Sequence, residues 1–262
     1  MPIATTVDGT RIAYQVSGGG EPLVLLAGQA NNHHWWDGVR SDFEPHLQVI
    51  TVDYRGTGSS DSPRTGYSTR QFARDVVGVL DAAGIDTAHV YGTSMGGRVA
   101  QWIAIDHQER VRSLILGCTS PGGPHAHERA ADIRHTLASA DQDAVRTALI
   151  DLMYTPAWQH DHAGPYHVLG DPEMSPFARN AHLVASNSHD AWNELAQIAT
   201  PTLILHGDED LLSPVDNAHL LEERIPDTQV VILPGARHAY FDEFRQQASP
   251  AAIEFIRWCS TR

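Results

Sequence analysis

Ala88-His89-Val90-Tyr91-Gly92-Thr93-Ser94-Met95-Gly96-Gly97-Arg98-Val99-Ala100-Gln101-Trp102 is the stretch whose reading decides the fold. A short apolar run meets Gly-x-Ser-x-Gly, and Val99, Trp102 and Ile103 then recur on one helical face. The pattern reads as a nucleophile elbow. A serine in a tight strand-to-helix turn is pushed out beyond the strand end, and small residues two before and two after it let the backbone bend. Two glycines and a serine at these spacings arise by chance in roughly one chain in ten of this length, at average glycine usage. The motif gains weight from the strand signal before it and from Gly96-Gly97, which admit close helix packing.

Working outward, residues 3–7 and 11–16 are short strand-like runs joined through Asp8-Gly9, a dipeptide that favours a hairpin, and they predict an antiparallel edge. Leu23-Val24-Leu25-Leu26 reads as a buried strand ending at Ala27-Gly28. A polar loop over 29–34, a helix over 35–46 and a strand over 47–53 follow. Phe72, Val76, Val77 and Leu80 recur at helical spacing, and Gly84 closes that helix. Beyond the elbow come a helix over 99–106, strands over 111–117, 201–207 and 229–233, and helices over 215–224 and 250–258. Strands that alternate with helices, most of them apolar on both faces, specify an α/β fold with a mostly parallel sheet covered on both sides. Over 119–198 the alternation lapses and His and Asp become frequent, with helical patches at 133–137 and 145–153. The expected organisation is a core of 1–118 and 199–262 interrupted by a mainly helical cap insertion, 119–198.

Composition narrows the chemistry. With 262 residues and 42% hydrophobic content the chain can bury a full core, and a net charge of -14 argues against nucleic acid or an anionic membrane as partner. All 18 basic residues are arginine, which excludes a lysine Schiff base to pyridoxal phosphate and a Walker-type phosphate loop. Gly56-x-Gly58 lacks the third glycine of a dinucleotide fingerprint. The start Met1-Pro2-Ile3-Ala4 has no basic-then-apolar leader, no apolar run approaches a membrane span, and Cys118 and Cys259 are the only cysteines. The expectation is a cytoplasmic protein with its cysteines kept as thiols. His33-His34, His125-x-His127 and His160-x-His162 lack cysteine partners and helical spacing, so they are read as solvated loop histidines and no metal is expected.

Two further motifs lie beyond strand ends. Gly207-Asp208-Glu209-Asp210 follows the strand over 201–207, and Leu233-Pro234-Gly235-Ala236-Arg237-His238 follows the next. The chain order is Ser94, then the carboxylates, then His238. With the elbow, this order resembles the α/β-hydrolase superfamily along essentially the whole chain. Asp53-x-Arg55-Gly56-x-Gly58-x-Ser60, Gly92-x-Ser94-Met95-Gly96-Gly97, Gln101-Trp102 and Glu109-Arg110-Val111-Arg112-x-Leu114 are similar to its serine-nucleophile branch of 3-oxoadipate enol-lactonases, cofactor-free haloperoxidases and small carboxylesterases.

The resemblance implies an eight-stranded α/β-hydrolase sheet and a Ser-His-Asp triad of Ser94, His238 and Asp210. It prefers Asp210 to Asp208, because the acid of that family is typically the fourth residue of Gly-x-x-Asp. It also implies an oxyanion hole from the backbone N–H groups of Met95 and, by position, Gln29. The chain departs from the family at Ala27-Gly28, where His-Gly is common. A neutral imidazole can take the serine proton at neutral pH, and an acid on its other nitrogen fixes the tautomer. The expected function is hydrolysis of a small ester or lactone through an acyl-enzyme without a cofactor. A slow-turnover ligand receptor on the same fold and a carbon–carbon bond hydrolase are the alternatives, although the glycine-rich oxyanion loop of the latter is absent from Gln29-Ala30-Asn31-Asn32. Trp35, Trp36, Trp102, Met153, Tyr154 and Trp158 are candidates to line either a substrate pocket or the core. The cap arginines Arg129, Arg134, Arg146 and Arg179 are expected mostly to face solvent, which favours neutral substrates.

Overall fold

The computed structural model describes residues 1–261. Its sheet has eight strands: β1 (Ile3–Thr5), β2 (Arg11–Gly18), β3 (Glu21–Leu26), β4 (Leu47–Val52), β5 (Ala88–Thr93), β6 (Val111–Gly117), β7 (Thr202–Gly207) and β8 (Thr228–Leu233). Their spatial order is β1-β2-β4-β3-β5-β6-β7-β8. β1 and β2 pair antiparallel, β2 joins β4 antiparallel, and every pairing from β4 to β8 is parallel. The apolar runs explain this: β5 and β7 are buried at every position, which is possible only with a layer on each face.

The covering helices are α1 (Arg40–Phe43), α2 (Thr69–Ala82), α3 (Met95–Asp106), α4 (Ala131–Leu137), α5 (Gln142–Met153), α6 (Pro156–Asp161), α7 (Pro176–Asn187), α8 (Asp216–Arg224), α9 (Tyr240–Glu243) and α10 (Arg245–Ser260). Helices α4 to α7 fill the stretch between β6 and β7. Among the described residues no helix is long and apolar enough to cross a membrane.

The chain reverses its winding between β3 and β5, which are neighbours in register Leu26↔Gly92. In such sheets the crevice beyond the carboxyl ends at this switch point is where ligands bind. Gln29 leaves β3 there and Ser94 leaves β5.

Several boundaries differ from the sequence reading. The helix expected over 35–46 is instead a 3-10 turn, His33–Trp36, followed by the single turn α1. Gly38 packs so closely on Asp242 that a Cβ would strike its carboxylate, and the chain bends there. Helix α3 starts at Met95, immediately after the serine, rather than at 99. The last helix starts at Arg245, with Pro250 inside it rather than leading it. The carbonyl that Pro250 leaves without a helical donor belongs to Gln246, which is exposed to water. Helices α6 and α7 have no counterpart in the sequence reading.

Candidate active site

Ser94 has φ +55° and ψ -123°, a conformation rarely adopted by residues with a side chain. Its N–H donates to Gly117 O at 2.9 Å, and the Thr119 hydroxyl donates to Ser94 O at 2.7 Å, so β6 and the turn after it hold the bend. A Cβ at Gly92 would strike the Gly96 carbonyl, and one at Gly96 the Leu26 carbonyl. The two motif glycines are therefore required by close backbone approach. Ser94 is half-buried while Thr93 and Met95 beside it are fully buried.

Beyond β7 and β8, His238 Nδ1 lies 2.7 Å from Asp210 Oδ2, the two residues being 1% and 3% exposed. Asp210 Oδ1 accepts the N–H groups of Leu212 at 2.9 Å and Ser213 at 2.8 Å. Burial would raise the Asp210 pKa, but the imidazoles of His238 and His206 outweigh it and hold the carboxyl below the usual range. Asp208 is exposed and accepts the Gly235 N–H at 2.7 Å, so it is Asp210 that pairs with the imidazole. Among the described residues His238 Nε2 has no partner. The end of helix α5 grips this loop through His238 N–H to Leu152 O at 3.3 Å and Ala239 N–H to Met153 O at 2.9 Å.

Sequence reasoning missed two neighbours of the pair. His206 donates from Nε2 to Ser213 O at 2.7 Å and lies 3.5 Å from Asp210 Oδ2. Cys118 occupies the turn after β6 at φ +39°. Its sulfur, one Asp210 oxygen and one His238 nitrogen lie within 4.8 Å of one another, and the Ser94 N–H faces the sulfur. Burial pushes this thiol well up, so it stands protonated between the elbow and the acid–base pair. Only the GxxD and PGxxH spacings were visible along the chain, whereas His206 and Cys118 join the site through tertiary placement.

The loop after β3 meets the start of α3 where Gly96 touches the Leu26 and Ala27 carbonyls. Among the described residues neither the Gln29 nor the Met95 N–H donates to an acceptor of the chain. Gln29 O accepts from Asn31 Nδ2 at 2.8 Å, and Asn31 Oδ1 accepts the Gly170 N–H at 2.9 Å. Ala30, at φ +56°, donates to His182 Nδ1 at 3.3 Å, and Ala30 O accepts the Asp171 N–H at 2.7 Å.

The aromatic candidates divide. Trp35 and Trp36 are core: the Trp35 indole N–H donates to Thr93 Oγ1 at 2.9 Å, and both rings pack on Phe241. Trp102 lies two turns along α3, under the Arg70 guanidinium and against His189. Met153 is buried, and Tyr154 is buried with its hydroxyl donating to Asp242 at 2.7 Å. Trp158, half-buried, stacks on Tyr154 and His162. One loop histidine departs from the solvated reading: His33 is buried, with Nδ1 2.7 Å from Asp53 Oδ1, because Asp53 needs a partner where it closes the loop after β4. Of the four arginines between β6 and β7, Arg134, Arg146 and Arg179 are exposed, but Arg129 is half-buried. Burial lowers its pKa, and Glu128 and Asp210 lie within electrostatic reach.

A serine at the elbow of a switch-point sheet, with a buried acid–histidine pair on the strand ends beside it, matches a known fold family. The description alpha/beta hydrolase fold fits residues 21–244, and the chain belongs to the α/β hydrolase fold family. It is 30% identical to a putative carbamate hydrolase RutD of Azorhizobium caulinodans, over 92% of each chain. It is 27% identical to a putative non-heme chloroperoxidase of Synechocystis, over 97% of this chain and 96% of that one. Among solved structures it resembles Est816, described as an N-acyl homoserine lactone degrading enzyme, with TM-score 0.84, 27% identity and coverage of 97% and 100%.

Proposed function

We propose that this protein is a serine hydrolase that cleaves a small carboxylic ester or lactone through an acyl-enzyme. The observation that carries the reading is the buried Asp210–His238 bond of 2.7 Å, which leaves Nε2 unpartnered, with Cys118 linking that pair to the elbow turn. Asp210 holds the proton on Nδ1, so Nε2 carries the lone pair that takes the Ser94 hydroxyl proton as Oγ attacks the carbonyl carbon. The oxyanion receives the Met95 and Gln29 N–H groups. His238 then protonates the departing alkoxide, and a water deprotonated by Nε2 releases the acid and restores Ser94. Each step uses groups of this chain and water. The names of the relatives, a putative carbamate hydrolase and an N-acyl homoserine lactone degrading enzyme, support hydrolysis at a carbonyl group.

The test is a panel of neutral esters, lactones and carbamates on purified protein, with a burst measurement on p-nitrophenyl acetate and a serine-directed phosphonate. A burst of one equivalent, abolished by the phosphonate, is expected. Stoichiometric binding of panel compounds with no turnover would instead make the protein a receptor.

A further inference from the structure

We propose that His182, on cap helix α7, is a positioning residue for the oxyanion loop. The inference rests on the serine hydrolase reading above. His182 is completely buried, and both of its ring nitrogens are committed. The Ala30 N–H donates to Nδ1 at 3.3 Å, and Nε2 lies 2.9 Å from Arg55 O, a carbonyl that can only accept. The ring is therefore neutral with its proton on Nε2. Burial agrees with this, pushing the His182 pKa down to about 4.

Each end of this bridge is fixed independently. Arg55 is buried and paired in a fork to Asp75, Nε to Oδ2 at 2.7 Å and Nη2 to Oδ1 at 2.6 Å, so its backbone does not wander. Ala30 sits at φ +56°, a strained position that persists only where neighbours hold it. Those neighbours are His182 on its N–H and the Asp171 N–H on its carbonyl, and both come from the segment between β6 and β7. Gln29 is the next residue back, and its N–H must point at the developing oxyanion to within a fraction of an ångström. The cap thus sets the angle of a donor that the core alone leaves loose. Tyr54, Phe72 and Tyr67 pack round the imidazole and keep water from competing for either bond.

The bridge can be divided by substitution. Asn places an acceptor at the position of Nδ1, whereas Gln places a donor at the position of Nε2. His182→Leu is expected to lower kcat about 100-fold, with KM changed less than about threefold. The Ki of a trifluoromethyl ketone, whose hemiketal oxyanion occupies the hole, should rise in parallel. His182→Asn should restore most of both losses and His182→Gln should not. If the Leu variant does not fold, the ordering of Asn and Gln decides alone. Unchanged kcat and Ki in the Leu variant, or Gln equal to or better than Asn, would overturn the inference. Full activity in Ser94→Ala, run alongside, would instead sink the hydrolase reading itself, so the two failures are told apart.

Discussion

Ser94 holds a backbone conformation that costs of the order of 1–3 kcal/mol, and the Gly117 carbonyl and the Thr119 hydroxyl hold it there. Because Ala tolerates φ +55° about as poorly as Ser does, Ser94→Ala should fold with the same circular dichroism while turnover falls by about a million-fold. Retention of a few per cent of activity in the purified variant would remove the serine from the mechanism. The acid is a sharper case. The spacing Gly207-x-x-Asp210 could be read along the chain, but Asp208 two residues earlier has the same chemistry. What separates them is direction: Asp208 is spent on the Gly235 N–H at the surface, and Asp210 turns inward to His238. Asp210→Asn should therefore lower kcat about ten-thousand-fold through the wrong imidazole tautomer, and Asp208→Asn far less. Equal losses in steady-state assays of the two variants would contradict the geometry.

Core elements were legible because β3, β5, β6 and β7 are apolar runs with two buried faces, a pattern that loops and exposed helices do not share. Elements between β6 and β7 were not. Helix α7 opens with Ser175 capping the Ala178 N–H and Pro176 in the first turn, a start signal, yet Phe177, Leu183 and Val184 remain exposed, so no clean apolar stripe marks it. His182 on that helix joins residues more than a hundred positions away, a relation that no local pattern encodes. The arginines between β6 and β7 show the same limit: helix-like spacing placed them outside, and three of the four are, but Arg129 sits on the coil before α4. The segment leading to it is clamped by His127 N–H to Asn217 Oδ1 and by Asn217 Nδ2 to His127 O, both at 2.9 Å. Arg129 forms no ion pair within hydrogen-bonding range among the described residues. Under the proposed hydrolase function, this cation would be available to a substrate carboxylate. Arg129→Gln should lower kcat/KM for an enol-lactone bearing a free carboxylate about tenfold or more, through loss of one charge-assisted hydrogen bond. A neutral lactone measured in parallel should be affected much less. Equal effects on the two substrates would place the guanidinium outside the pocket.

For the molecule as a whole, acid sensitivity follows from histidines buried in the neutral form. Burial pushes His182 down to about 4, His189 well below the ordinary imidazole value, and His89 down despite Glu21 beside it. Asp171 is the carboxylate within reach of His182, and it does not offset the burial. Above pH 6.5 these groups are neutral in both folded and unfolded chains and stability does not depend on them. As pH falls from 6.5 toward 4, the unfolded chain takes up protons that the folded chain refuses, and stability is lost. His182 alone accounts for about 3 kcal/mol across that window. Asp210, with its lowered pKa, adds its own loss only further down, below the normal carboxylate range. Melting temperature should therefore begin to fall near pH 6.5, and His182→Asn should flatten the decline. A curve that stays level to pH 4.5 would show that the histidines are hydrated.

Cys118 gives the protein a gauge of its own breathing. Its sulfur is wholly enclosed behind the acid–base pair, whereas Cys259 on α10 is part-exposed. An alkylating reagent can reach the first only during moments when the strand ends part. The ratio of the two alkylation rates therefore reads the fraction of time the floor of the candidate site stands open, in the manner of protected amide exchange.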